Sequence, residues 1–76
     1  MTKGDFVKNN KDNRQGVVSD TPTEKGFVYV HWLTRYDKHI HEIAHWTEFV
    51  SQDDLVDLSE TQAHTGLHEL RKHLLR

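Results

Sequence analysis

The chain is expected to adopt a mainly β fold: a five-stranded small barrel followed by a C-terminal amphipathic α-helix. Short runs rich in Val, Phe, Tyr and Trp recur between turn-forming residues from Lys3 to Leu58, the pattern of strands in close succession. Beyond Ser59 the apolar period changes from two to about 3.6, the mark of a helix. The chain has only 76 residues, and a domain this small buries roughly 60% of its unfolded surface. Strands this short can cover their apolar faces only by curling onto one another.

Gly4-Asp5 reads as a turn entering a first strand at Phe6-Val7-Lys8. Asn9 to Gly16 is polar and turn-rich, and is expected to be a loop. Val17-Val18 begins the second strand, which Pro22 ends, and Gly26 supplies the permissive backbone of the next turn. Phe27 to Leu33 is the clearest strand: Val28, Val30 and Trp32 alternate with Phe27, Tyr29, His31 and Leu33. Large side chains on both faces leave two readings. Either the second face receives the helix, or Tyr29 and His31 line an exposed binding face. Residues 34–42 are polar and are expected to form a long loop. Ala44 to Val50 reads as a strand, Ser51 to Asp54 as a 3-10 turn, and Leu55 to Leu58 as the strand that closes the sheet.

In the last segment Ala63, Leu67, Leu70 and Leu74 form one helical stripe. Ser59 and Gln62 have capping-box spacing at its start. Arg71, Lys72, His73 and Arg76 suit the negative end of the helix dipole. Gly66 costs such a helix about 1 kcal/mol relative to alanine. The expected organisation is residues 1–58 as the barrel and 59–76 as a helix packed on it or on a partner, one domain overall.

The net charge of −2 conceals a mosaic. Residues 1–15 balance to +2, residues 16–60 to −6 and residues 61–76 to +2. An acidic middle repels duplex DNA, whose non-specific binding depends on phosphate neutralisation, whereas a protein partner accommodates such a mosaic. Seven histidines can carry the charge toward +5 as pH falls through about 6.5. There is no cysteine, so neither disulfides nor a Cys-based zinc knuckle is available. No apolar run is long enough for a membrane span or a signal-peptide core, and a cytoplasmic location is the expectation.

Gly4-Asp-Phe-Val7, Gly16-Val-Val18, Val28-Tyr-Val-His-Trp32 and Asp53-Asp-Leu-Val-Asp-Leu58 occur in an order and spacing that resemble the SH3-like small barrels, including KOW and tudor-type modules. The resemblance covers about residues 3–58, with the helix as an addition. It implies a binding module. KOW-like barrels occur in transcription elongation factors and ribosomal proteins, and tudor-like ones bind methylated side chains in an aromatic cage, for which Tyr29, Trp32, Tyr36 and Trp46 are the candidates here. The chain lacks the Val-Gln-Ile-Tyr stretch of plasmid-type dihydrofolate reductases and the flanking elements of ribonuclease toxins on a related barrel.

His41-Glu-Ile-Ala-His45 is a literal HExxH. On a helix, His41 and His45 would share a face and bind zinc, with Glu42 as general base. No third-ligand motif follows, and the segment falls where the barrel requires a loop passing into a strand. His39 and His41, and His64 and His68, are expected to be solvated surface pairs. Ser19, Ser51 and Ser59 lack a nucleophile-elbow context, and there is no phosphate-binding glycine loop.

The expectation is a non-enzymatic regulator or adaptor without a cofactor. It binds a larger protein or ribonucleoprotein machine, of transcription or translation on the family resemblance. The candidate binding residues are Lys8, Lys11 and Arg14 of the first loop region, Tyr29 and His31 of the third strand, and Arg71, Lys72 and Arg76 of the helix. The alternatives are direct binding of RNA or another single-stranded nucleic acid, and a zinc hydrolase built on His41 and His45.

Overall fold

The computed structural model describes residues 1–20 and 26–75. The expected turn at Pro22 and the candidate residue Arg76 lie outside the described residues. Five strands are observed: β1 (Phe6–Asn9), β2 (Gln15–Asp20), β3 (Phe27–Asp37), β4 (Glu42–Ser51) and β5 (Leu55–Asp57). A 3-10 turn at Gln52–Asp54 links β4 to β5, and helix α1 (Thr65–Leu74) ends the chain. All pairings are antiparallel in one open sheet of order β4-β3-β2-β1-β5, a small barrel-like fold. β1 to β4 form a meander, and β5 returns to pair with β1, leaving β4 and β5 as the edges.

The period-two alternation divides the apolar residues between two cores. Val7, Val18, Val28, Val30, Trp32, Val50 and Leu55 fill the inner, concave face. Phe6 and Val17 face outward and are covered by Leu67 and Leu70 of α1, with Leu33, Ile43, Leu58, Ala63 and Leu74 around them. Both faces of the sheet's centre are therefore buried, which accounts for the adjacent apolar pairs Phe6-Val7 in β1, Val17-Val18 in β2 and Trp32-Leu33 in β3. Leu67, Leu70 and Leu74 of the predicted stripe are the face that α1 buries, and Ala63 packs beside them from the turn ahead of the helix.

Three expectations need correction. Residues 34–42 are not a long loop. β3 runs to Asp37, β4 starts at Glu42, and the two join in a tight turn in which His41 has φ 54°. The polar side chains here mark a hairpin reaching past the core, where strands are solvated, and Arg35 and Glu42 form an ion pair at 3.1 Å across it. A bulge at Leu33/Arg35 keeps Tyr36 and Ile43 on the helix-covered face with Leu33. The first loop is shorter than expected, because Gln15 and Gly16 already belong to β2. The buried Asn9 ties that loop by accepting the Lys11 N–H at 2.8 Å.

The third correction concerns the helix start. Ser59 and Gln62 do make the reciprocal capping-box bonds, at 3.1 and 3.2 Å, but these close a turn ahead of the helix. α1 begins at Thr65, where His64 Nδ1 accepts the Gly66 N–H at 2.9 Å. The His64 N–H in turn donates to Gln15 Oε1 at 2.9 Å, fastening the helix entrance to β2. Among the described residues no helix is long and apolar enough to cross a membrane.

Candidate binding surface

The candidate residues from the first loop region do not share a face. Lys8 alternates with the inward Val7 and lies on the outer side of β1. Lys11 stands at the loop tip, 3.7 Å from Asp54. Arg14 turns the other way. Its guanidinium lies 4.8 Å over the ring of the fully buried Trp32 and 5.3 Å from that of Trp46. Its Nε is in ion-pair contact with Asp12 at 2.7 Å, off the line of a hydrogen bond, and its Nη2 lies 3.9 Å from Glu48. Glu48 also accepts the Trp32 indole N–H at 3.1 Å, satisfying a donor that burial would otherwise orphan. Arg14 is therefore a lid on the inner core, with its charge already matched.

On α1, Arg71 makes a two-pronged contact with Glu60 at 2.8 and 3.1 Å and lies 4.2 Å over the ring of Phe6. This pairing holds the Glu60 carboxyl below its ordinary range, chiefly through the Arg71 hydrogen bond. Lys72 pairs with Glu69 at 3.4 Å. The cations that suggested a basic surface are largely spent on intramolecular partners.

Tyr29 and His31 do share a face, the outer one. The helix covers that face at Leu33 but leaves Tyr29 42% exposed. Tyr29 meets the ring of Phe49 at 4.7 Å, and Phe49 stacks on Phe27 at 5.2 Å. Phe27 and Phe49 are each 39% exposed, so three large rings form one open apolar row. The row continues into histidines: His31 and His45 approach with Nδ1 to Nδ1 at 2.9 Å, one ring donating and the other accepting. His73 of α1 lies beyond, 6.3 Å from His45 between ring centres. Burial, and then the neighbouring His45, push the His31 pKa below its ordinary value against the opposing pull of Asp20. Burial and then His73 push His45 down likewise.

Phe49 was not among the sequence candidates, and His45 was one only as a zinc ligand. Their signal was the alternation of His45, Thr47 and Phe49 within β4, opposite Leu33, His31 and Tyr29 in the β3 ladder. The four residues proposed for an aromatic cage do not converge. Trp32 and Trp46 pair on the inner side, whereas Tyr29 and Tyr36 lie on the outer one. The HExxH segment is not helical: His41 sits in a turn, Glu42 opens β4 and pairs with Arg35, and His45 contacts His31. Four residues of extended chain span about 13 Å, so the shared helical face on which the zinc reading depends is not formed. Among the described residues no three His, Asp or Glu side chains converge as a metal-binding group.

No family model matches the chain, and neither a curated protein nor a solved structure matches it significantly.

Proposed function

We propose that this protein is a non-enzymatic binding module, a small-barrel regulator or adaptor that docks on a larger protein or ribonucleoprotein assembly. The transcription or translation apparatus is the class of partner that the SH3-like resemblance favours. The observation that carries the reading is the row Phe27, Phe49 and Tyr29, three rings joined through Phe49 and left open on the outer face. Aromatic anchors in a rigid sheet lose little conformational freedom on binding, and such residues dominate interface energetics.

A protein surface suits the row better than a nucleic-acid strand does. Bases also stack on exposed rings, but affinity for a strand needs cations along its backbone. Beside this row the described residues place Asp20, close enough to act on His31. Lys11 and Arg14 are engaged by Asp54, Asp12 and Glu48.

The test is affinity capture from native lysate with the Phe27→Ser/Tyr29→Ser variant, beside Val56→Ser on β5 as a control at a comparably exposed residue. The double variant is expected to lose the captured protein while its thermal midpoint stays close to wild type, and the control is expected to retain capture. Equal capture by both variants contradicts the reading. A titration with single-stranded RNA at two salt concentrations forms the second arm, and tight, steeply salt-dependent binding there contradicts it too.

A further inference from the structure

β4 is a ten-residue edge strand whose backbone is hydrogen-bonded only to β3 among the described residues. An edge this long and without proline is a template for another strand. It holds two acidic residues, Glu42 and Glu48, and no lysine or arginine. We propose that the protein forms a two-fold homodimer by antiparallel pairing of β4 with β4 of a second copy, with Trp46 opposite Trp46. This goes beyond the binding-module reading and uses the edge of the sheet, sharing only Phe49 with the ring row on its face.

The register follows from the residues. Directly opposed residues in an antiparallel pair point to the same face, so a two-fold pairing must set one residue opposite itself. A dyad at Trp46 puts Ile43 opposite Phe49 and His45 opposite Thr47 on the outer side. On the inner side it puts Ala44 opposite Glu48 and joins the two Trp46 rings. Aromatic and apolar cross-strand pairs of this kind stabilise a sheet. A dyad at His45 would oppose Glu42 to Glu48, like charges directly across the ladder. A dyad at Thr47 would set Glu48 against Trp46 and His45 against Phe49.

Charge at the ends of the strand selects the same arrangement. With Trp46 on the dyad, the chain leaving β4 carries Asp53 of one copy alongside the β3–β4 turn of the other, which holds Lys38 and His39. Neither Asp53 nor Lys38 has an ion pair among the described residues. The two-fold makes this acid-to-base contact twice.

The whole chain has no cysteine, so a single introduced one reports the register. Disulfides need Cα atoms roughly 4.4–6.8 Å apart. Directly opposed positions meet this, whereas diagonal neighbours lie about 7–8 Å apart. Sedimentation of the wild-type chain over a concentration series is expected to show a monomer–dimer equilibrium. On oxidation Trp46→Cys is expected to give a covalent dimer, and Thr47→Cys to give little. Asp53→Lys and Lys38→Asp are each expected to weaken the dimer severalfold, and the exchange of both in one chain to restore it; this arm stands even if Trp46→Cys fails to fold. A monomer at every concentration overturns the proposal. Larger head-to-tail species, equal cross-linking at both positions, or no restoration by the exchange also overturn it.

Discussion

Gly66 occupies a helical position where alanine is ordinarily preferred by about 1 kcal/mol, and from propensity alone it reads as a defect. Its environment reverses the sign. A Cβ there would stand 2.8 Å from Leu33 Cδ2 and 2.8 Å from Tyr36 Cβ, so the missing side chain is what lets α1 lie against β3. Gly66→Ala is therefore expected to destabilise the protein by about 1–3 kcal/mol, the usual cost of overpacking, as a lowered urea midpoint; a stabilised variant would contradict this packing. Gly16 in β2 is constrained in the same way, since a Cβ would fall 2.6 Å from the carbonyl oxygen of His31. At this scale the sequence showed the apolar alternation and the leucine stripe, because both are local periods. It did not show why Gly16 and Gly66 are glycine, because the atoms they make room for come from another strand.

Three elements meet at the histidines: His31 from β3, His45 from β4 and His73 from α1. For His31 and His45 the folded pKa lies below the ordinary 6.5, so the unfolded chain takes up protons first. Their contribution is full above the unfolded value, declines as pH falls through 6.5 toward the folded values, and changes no further below those. Glu60 acts elsewhere: its depressed pKa gives a contribution present above 4.5 and lost only as pH falls below that. The urea midpoint is thus expected to be lower at about pH 5.5 than at about pH 7.5, and His31→Gln/His45→Gln is expected to flatten that difference. An unchanged slope in the double variant would remove the pair from the account. Element types were legible in the chain, but three boundaries were not, the end of the first loop among them. The polarity of residues 34–42 reported solvent exposure of a hairpin rather than a break in the strands. The capping-box pair reported a real pair of hydrogen bonds, placed on the turn before α1.

Across the whole molecule, function is read from how the outer face is divided. α1 takes the part built on Phe6, Val17 and Leu33, and the part built on Phe27, Tyr29 and Phe49 stays open. The mainly β architecture with its added helix followed from composition, turn spacing and the change of period. The division of the face did not, because it depends on where the helix stops covering β3 and β4. Charge made Arg14, Arg71 and Lys72 stand out in the sequence, and in the fold all three pair within the molecule. The most direct test of the open face is a photoreactive benzophenone amino acid placed at position 29 and, separately, at position 56 on β5, with cross-linking in native lysate. A discrete adduct with a second protein is expected from position 29 and none from position 56. Adducts from position 56 alone, or none from position 29, would contradict it.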